Sequence, residues 1–342
     1  MADVLAPPAP SPAPSRPASG RFSAGLVVAL VVFAIALRLV APGRFAWLQA
    51  ALIVFGGLVI QATPFVLIGA FASATIEVFV PPSALERLAA LPRPLQLPAA
   101  GLAGIAFPIC ECGSVPVARR LIRKGLMPGA AITFMLAAPV VNPVVIASTF
   151  VAYRGRGALW TMVLGRFGLG LLVAIAVGWV LGRTSRGDML RADAEDASEH
   201  RHVELGRPEP RWRTFFVHLG NDFLFMGRFL LLGATLAALV QTFLPQSVIA
   251  GVAGVPILSI VVMMGLAIVL SLCSESDAFI AASFVQFGAA AQLAFLVFGP
   301  MVDFKLGALY TGTFRRPVVH AILVTTFAAT LAGALWIAVI AG

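Results

Sequence analysis

The chain has 342 residues, of which 60% are hydrophobic and only 11% are charged, and its mean hydropathy is +0.97. Soluble domains carry roughly 25% charged residues, so this composition excludes an ordinary soluble protein and indicates one built for a lipid bilayer. The formal net charge of +9 would suit a nucleic-acid binder, but the arginines lie in short loops between apolar stretches, where they indicate membrane orientation and no nucleic-acid partner.

The order of polar and apolar stretches divides the chain into five parts. Residues 1–22 are rich in proline, alanine and serine and predict a disordered tail. Residues 23–46 predict an extra first transmembrane helix, because a long proline-rich leader precedes their apolar stretch and no small-residue cleavage site follows it. Residues 47–182 predict a first membrane repeat, 183–213 a charged cytoplasmic linker, and 214–342 a second membrane repeat.

Apolar stretches of about 20 residues, the length that crosses a bilayer as a helix, recur through both halves of the chain. After the first helix, the candidate segments are 47–80, 97–118, 129–152, 158–182, 214–244, 252–286, 291–313 and 318–341. We therefore predict an all-α polytopic integral membrane protein with about 7–9 membrane-crossing helices.

The two halves resemble each other at glycines, prolines and cysteines as well as at apolar residues. The matched pairs, in chain order, are 65–70 with 229–234, Cys110 with Cys273, Gly125 with Gly288, and 138–143 with 299–304. Ordered matches at such residues predict an internal duplication, with Asn142 and Asp303 at equivalent positions.

The distribution of basic residues favours one of two topologies. If both cysteine-bearing segments are re-entrant hairpins, 17 lysines and arginines lie on the inner side and 4 on the outer side. If every segment crosses, the better orientation gives 13 and 8. The positive-inside rule therefore favours hairpins, with the N-terminus and the linker in the cytoplasm. Each repeat then crosses three times, which makes the two repeats inverted, as in many secondary transporters. One observation favours the other topology, because 252–271 is long enough to cross alone.

All three cysteines lie in two interruptions of the apolar pattern, and their odd number argues against a disulfide framework. Cys110 and Cys112 lie among helix-breaking residues in Phe107–Pro116, and Cys273 lies in Leu272–Asp277. Soft sulfur ligands select soft partners, although a buried cysteine also behaves as a small hydrophobic residue. We predict that the three thiols bind a small thiophilic solute near the middle of the bilayer. No cofactor is expected, and a metal site only if the solute is a soft metal or metalloid.

Acidic and amide side chains accompany these thiols. Glu111, Glu275 and Asp277 are candidates for proton coupling, because ionisable groups at membrane depth are usually functional; the alternative places them at a hairpin mouth in water. Asn142 and Asp303 are predicted to line the solute site, or else to satisfy backbone groups that the neighbouring prolines leave free. The predicted structural breaks are Pro108, Gly113, Pro116, Pro139, Pro143 and Pro300.

Two basic residues of the second half lie within apolar segments. Lys305 is expected to pair with Asp303 or to extend toward the inner surface. Arg228 is expected to pair with Asp222 on the same helix. In the first half, the polar residue Gln61 is expected to serve helix packing.

Several motifs together resemble one family of membrane proteins. They are Phe-x-x-Cys-x-Cys-Gly-x-x-Pro at 107–116, Ala-Pro-x-x-Asn-Pro at 138–143, Cys-x-x-x-Asp at 273–277 and Gly-Pro-Met-x-Asp-x-Lys at 299–305. At these positions the chain resembles the predicted permeases grouped with ArsP, which include the organoarsenical efflux permease and the YraQ-like proteins. The resemblance extends from about residue 47 to the end. It implies an inner-membrane permease and, for the arsenical branch, export of trivalent organoarsenicals.

These observations predict a secondary transporter and not an enzyme. The sequence has no Walker A motif for ATP hydrolysis and no His-Glu-x-x-His motif of a metalloprotease. Two alternatives stay open: a membrane thiol–disulfide oxidoreductase that uses Cys110 and Cys112, and a channel-like permease subunit. The predicted partners are the small thiophilic solute and the lipid bilayer, and a homo-oligomer is compatible with the sequence.

Overall fold

The computed structural model describes residues 46–80, 92–106, 109–191, 211–243 and 256–341. Within these ranges the regular structure is helical, apart from one isolated antiparallel bridge between Leu190 and Phe314. The predicted tail at 1–22 and the first helix, except for its last residue, lie outside the described residues, as does Pro108.

The described helices follow the same order in both halves. The first half contains α1 (Ala46–Phe79), α2 (Arg93–Leu102), a 3-10 turn (Ala103–Ile105), α3 (Glu111–Arg123), α4 (Pro128–Val141), α5 (Pro143–Tyr153) and α6 (Leu159–Leu181). The second half contains α7 (Arg186–Met189), α8 (Arg211–Phe243), α9 (Pro256–Leu270), α10 (Asp277–Ser283), α11 (Ala289–Phe298), α12 (Phe304–Thr313) and α13 (Arg316–Ala341). Apart from the short α7, the helices from α8 onward repeat the sequence of long and short helices from α1 to α6.

Five helical stretches among the described residues are long and apolar enough to cross a membrane. They are Trp47–Phe79, Pro128–Tyr153, Leu159–Leu181, Arg211–Phe243 and Arg316–Ile340. Shorter apolar helices lie between them, and the all-α polytopic class predicted from the sequence is therefore confirmed.

Both cysteine-bearing segments are broken helices. The predicted segment 97–118 is divided between α2 and α3, and 252–286 is divided between α9 and α10. The described α9 helix has 15 residues, from Pro256 to Leu270, and residues 252–255 of the segment that is long enough to cross alone lie outside the described residues. The α9 helix ends directly before the interruption that carries Cys273.

Three of the predicted structural breaks are wrong in position. Gly113 and Pro116 lie inside α3, and Pro139 lies inside α4. A proline inside a helix removes one N–H donor without always ending the helix, and packing on both sides keeps α3 and α4 continuous. Residue 116 would normally donate its N–H to the Cys112 carbonyl, four residues earlier. Because Pro116 has no N–H, that carbonyl lacks its helical hydrogen bond. Pro143 is the first residue of α5 and Pro300 lies in the turn between α11 and α12, as expected for breaks.

The α2 and α3 helices form a hairpin that returns to the end from which it starts. Just after α3, the Lys124 ammonium donates to three carbonyls at the end of α1, at 2.6, 2.7 and 2.8 Å. The α2 helix runs parallel to α4, because Gly101 faces Thr133 and Ala137 while Gly104 faces Ala138 and Val141. Since α4 begins four residues after Lys124, the start of α2 lies at that same end. We call this end, which also holds the ends of α1 and α6, the linker end.

A close helix contact sets the depth of the hairpin tip. A Cβ atom at Gly69 of α1 would overlap the backbone of Gly113 in α3, so only glycine permits this approach. Gly69 lies ten residues before the end of α1, which corresponds to about 15 Å. That depth is about half of the hydrocarbon thickness, so the turn that carries Cys110 and Cys112 lies near the middle of a spanning helix.

The α10 helix runs from the middle of the bundle to the opposite end. Arg156, between α5 and α6, donates to the Ala282 carbonyl in the last turn of α10, at 2.6 Å. Tyr153 at the end of α5 donates to the Gln292 side chain at 2.8 Å. We call this end of the bundle the α5–α6 end. The two returning helices, α3 and α10, therefore run toward opposite ends.

The first residues of the predicted linker are folded. The α7 helix and Leu190 dock beside the turn between α12 and α13, where Arg191 N–H donates to the Thr313 carbonyl and Arg315 N–H to the Met189 carbonyl. At the other limit, residues 211–213 form the first turn of α8. Residues 192–210 lie outside the described residues.

Candidate functional site

The two cysteine-bearing interruptions meet inside the helix bundle. The Ser274 hydroxyl donates to Glu111 Oε2 at 3.1 Å, and both residues are buried. Glu111 lies between Cys110 and Cys112, and Ser274 follows Cys273. Gln61 of α1 reaches the same place, because its Nε2 donates to the Ser276 hydroxyl at 3.3 Å. Gln61 therefore does more than the helix packing expected from the sequence.

Equivalent cysteines lie at the start of α3 and in the turn that leads into α10. The Cys110 carbonyl accepts from the N–H groups of Gly113 and Ser114, at 3.2 and 3.1 Å. The Cys273 carbonyl accepts from Ser276 and Asp277, at 3.0 and 3.1 Å. Each returning helix thus directs its N-terminus, which carries partial positive charge, toward the middle of the bundle.

The chain that leads into the second interruption is strained. Ser271, directly after α9, has a φ of +45°, and it is the one non-glycine residue with positive φ among the described residues. Its hydroxyl accepts from Phe304 N–H at 3.3 Å. Sparsely populated backbone conformations of this kind persist where the surrounding structure enforces them, often at functional sites.

A buried lysine joins the interruptions to the start of α12. The Lys305 ammonium lies 3.7 Å from Glu111 Oε1 and 3.5 Å from Asp303 Oδ2, and all three side chains are 1% exposed. The predicted pairing with Asp303 is present, and the alternative, extension to the surface, is wrong. Neither Glu111 Oε1 nor Asp303 Oδ2 has a hydrogen-bond partner. At these distances the ion pairs leave two buried carboxylate oxygens that accept no hydrogen bond. Buried polar atoms without a hydrogen bond are rare in folded proteins and often occur at functional positions.

The three thiols lie around this ion cluster. Cys110, Cys112 and Cys273 are all free and buried, and the Cys110 and Cys112 side chains are within hydrogen-bonding reach of each other. Cys112 and Cys273 are electrostatic neighbours of each other, of Glu111 and of Lys305. Among the described residues, however, no three His, Cys, Asp or Glu side chains are arranged to hold a metal ion. The three thiols share one region without forming a ready three-sulfur chelate.

Asn142 and Asp303 have the same structural role in the two halves. Asn142 Oδ1 accepts from Val144 N–H at 2.9 Å and begins α5, and Asp303 Oδ1 accepts from Leu306 N–H at 2.6 Å and begins α12. Both are therefore N-caps, Asn142 of α5 and Asp303 of α12. Asp303 also has its second oxygen directed at Lys305, so only Asp303 is shown to be part of the ion cluster.

Asp277 is engaged by an arginine that the sequence analysis missed. Arg166, fully buried in α6, donates from Nη1 to Asp277 Oδ1 at 2.8 Å and from Nη2 to Oδ2 at 2.7 Å. The same guanidinium donates to the Ser274 carbonyl and to Thr149. The signal was available, because a lone arginine in the middle of an apolar segment is a functional candidate by default. Glu275 is half-buried between these groups and has Glu111, Arg166 and Lys305 as electrostatic neighbours.

A second buried arginine lies toward the linker end. Arg120 of α3 lies 3.3 Å from both oxygens of Asp222 in α8 and 3.4 Å from Glu77 in α1. The predicted pairing of Asp222 with Arg228 is therefore wrong. The guanidinium of Arg228 lies over the rings of Phe225 and Phe229, at 4.7 and 4.9 Å, and is stabilised there by cation–π contact.

A bundle of spanning helices with two broken hairpins that meet around buried charges is typical of membrane transport proteins. Comparison with known proteins agrees: the chain belongs to the ArsP family described as "Predicted permease", which matches residues 47–339. The chain is 37% identical to the UPF0718 protein YcgR of Bacillus subtilis over 283 residues, which cover 82% of this chain and 95% of that protein. It is 34% identical over 257 residues to a putative two-component membrane permease complex subunit of Streptococcus mutans, covering 74% of this chain and 83% of that protein. No solved structure matches the chain.

Proposed function

We propose that this membrane permease is a secondary carrier that exports a small thiophilic solute, such as a trivalent organoarsenical, across a bacterial inner membrane. The observation that carries the proposal is the contact between Glu111 and Ser274. This contact brings the thiol-bearing turns of both halves to one buried region near the middle of a spanning helix. Thiols suit a soft solute, and charged groups at this depth suit coupling to an ion gradient.

The two halves are proposed to be inverted repeats, 47–182 and 214–342. Helices in matching order support this proposal, and so does the course of α3 and α10 from the shared centre to opposite ends. By the positive-inside rule the linker end faces the cytoplasm. Alternating access would then be a movement of one repeat against the other around a fixed central site.

Proton coupling is proposed at Glu111, within the cluster that it forms with Lys305 and Asp303. Asp277 is a weaker candidate than the sequence indicated, because both its oxygens are engaged by Arg166. Glu111 keeps one buried oxygen without a hydrogen bond, and Glu275 has a similar oxygen nearby. A proton on Glu111 would weaken its attraction for Lys305 and loosen the contact between the two halves.

The proposal is tested by removing the thiols. Cells expressing the Cys110→Ser, Cys112→Ser and Cys273→Ser triple variant should lose resistance to a methylated trivalent arsenical and should retain the compound. The matched control is Met264→Leu, a buried change in α9 that keeps all three thiols. Full efflux by a triple variant that is expressed at the level of the control would contradict the thiol site.

A second candidate is one subunit of a two-component permease. It is favoured by the name of the Streptococcus relative, a putative complex subunit. Reconstitution of this chain alone in liposomes separates the candidates. Solute flux from the single protein supports the carrier, whereas flux that appears only after a second membrane protein is added supports the subunit.

The oxidoreductase alternative is less well supported. Thiol–disulfide exchange needs access of the partner to the attacked sulfur, and all three thiols are buried. Trapping of a mixed disulfide between Cys112 and another protein would nevertheless favour the enzyme over the carrier.

A further inference from the structure

Two buried arginine–aspartate pairs flank the central ion cluster, one toward each end of the bundle. Arg120 of α3 pairs with Asp222 of α8, and Asp277 of α10 pairs with Arg166 of α6. Each pair therefore joins a returning helix of one half to a spanning helix of the other half. The two pairs lie on opposite sides of the Lys305 cluster, which also joins the halves.

The pair toward the linker end joins three helices. Arg120 lies eight residues after Cys112, about 12 Å along α3. Besides Asp222 it contacts Glu77, and its Nη2 lies 3.1 Å from His218 Nδ1. Ser73 of α1 donates to Asp222 Oδ2 at 2.6 Å. This network ties α1, α3 and α8 at a level between the thiols and the linker end.

The pair toward the α5–α6 end is directly beside the second interruption. The Arg166 guanidinium binds both oxygens of Asp277 and also the Ser274 carbonyl. Farther along α10, Arg156 holds the Ala282 carbonyl. These contacts tie α10 to α6 and to the α5–α6 turn, at a level between the ion cluster and that end.

We propose that these two pairs are the gates of the permease, with Arg120–Asp222 closing the path to the linker end and Arg166–Asp277 closing the path to the α5–α6 end. Separating a buried ion pair leaves uncompensated charges unless water replaces the partner. Each pair therefore opens only together with a hydrated path from its own end to the central site. Both pairs are formed in this structure, which corresponds to a state closed at both ends. This inference rests on the carrier function proposed above and assigns the residues that control access to its site.

The geometry also predicts which gate opens more readily. The linker-end pair has nitrogen–oxygen distances of 3.3 Å, whereas the pair at the α5–α6 end has distances of 2.7 and 2.8 Å in a two-pronged arrangement. Short, two-pronged arginine–carboxylate bonds are the stronger ones. The unmodified protein is therefore expected to expose its central thiols to the linker side more often than to the other side.

The native cysteines report access without any engineered label, because all three lie between the gates. Purified full-length protein is placed in liposomes, the linker side is identified with an epitope tag at residue 198, and a membrane-impermeant methanethiosulfonate reagent is applied to one side at a time. Mass spectrometry then gives the rate of modification at Cys112 and Cys273. Arg120→Gln should raise the rate from the linker side on the order of tenfold and leave the other side unchanged. Arg166→Gln should do the reverse.

A substitution that keeps the charge separates gating from misfolding. Arg120→Lys should keep modification close to the wild-type rate, because it retains a positive charge beside both Asp222 and Glu77. Arg315→Gln, a half-exposed arginine in a surface ion pair, is the control and should change neither rate. Wild-type rates in both glutamine variants, or equal increases from both sides, would overturn the gates. Modification needs no solute transport, so a failed efflux assay with side-specific labelling would reject the solute and keep the gates.

Discussion

The buried Lys305 ammonium is shared by carboxylates from the two halves of the chain. Glu111 comes from the first interruption and Asp303 from the turn before α12. Glu111 also accepts from Ser274, 163 residues later in the chain, so the lysine completes a contact between distant segments. Removing one partner from a buried charge pair usually costs about 3–5 kcal/mol, since the remaining charge has no compensation. The lysine is therefore both a structural tie between the halves and a member of the candidate site.

We predict that Lys305→Met lowers the free energy of unfolding by about 3–5 kcal/mol, because two buried carboxylates are left facing each other. Adding Glu111→Gln should restore part of the loss, since one of those charges is then removed. Thermal unfolding in detergent measures both. The control Lys124→Met removes a half-buried lysine that contacts carbonyl oxygens, and a loss as large as that of Lys305→Met would contradict the special role of the cluster.

At the scale of residues the sequence indicated the buried charged residues and one of their contacts. The rarity of Glu111 and Asp303 within apolar segments was enough to select them, and the pair of Asp303 with Lys305 was predicted. The contact of Lys305 with Glu111 was not predictable, because it depends on how a hairpin of the first half packs against a turn of the second. Arg166 was missed although its signal was present, because it lies inside an intact helix and outside both interruptions.

Helix contacts at glycine fix the position of the thiol-bearing turn. The α1 and α3 helices approach at Gly69 and Gly113, where no Cβ fits. Two other glycines in α1, Gly56 and Gly57, have no heavy atom within 4 Å of the place that a Cβ would take. The α1 helix therefore contains one glycine where no side chain fits and two glycines where a side chain meets open space. The latter serve as controls in the same helix.

We predict that Gly69→Ala destabilises the protein and shifts the turn that carries Cys110 and Cys112, because the added methyl group overlaps the Gly113 backbone. Gly57→Ala in the same helix should be neutral or stabilising by about 0.5–1 kcal/mol, since alanine favours helix and meets open space. Thermal unfolding gives the stabilities, and efflux of the proposed arsenical solute gives the effect on the candidate site. Equal behaviour of the two variants would show that the approach of α1 to α3 is not required.

The ends of helices were predictable from the sequence where the length of an apolar stretch determines them. They were not predictable where packing against other helices determines them. The α6 and α13 helices lie within two residues of the predicted segments 158–182 and 318–341. Pro116 and Pro139 were predicted as breaks but lie within helices, since a single lost hydrogen bond is offset by burial on all sides. The breaks fall instead at Cys110 and Asn142, where the following helices receive N-terminal hydrogen bonds.

Over the whole molecule, the count of basic residues and the contacts of Lys124 agree on a re-entrant hairpin in the first half. The count used charge alone, and the contacts use the packing of α3 against the end of α1. These observations are independent, because Lys124 binds carbonyl oxygens that no sequence pattern specifies. The hairpin explains how a segment of 31 residues, 93–123, begins and finishes at the same end of the bundle.

Single-cysteine labelling tests this topology directly. In a background with all three native cysteines changed to serine, we predict that Ser83→Cys, Met127→Cys and Ser198→Cys are labelled from one side of the membrane. Gly157→Cys, at an open turn between α5 and α6, should be labelled from the other side, because the 23 residues of α6 extend about 34 Å and cross the hydrocarbon core. A crossing arrangement of the first cysteine segment would instead place positions 83 and 127 on opposite sides. That result would contradict both the hairpin and the proposed inverted relation of the two halves, since α3 would then no longer return to the end where α2 begins.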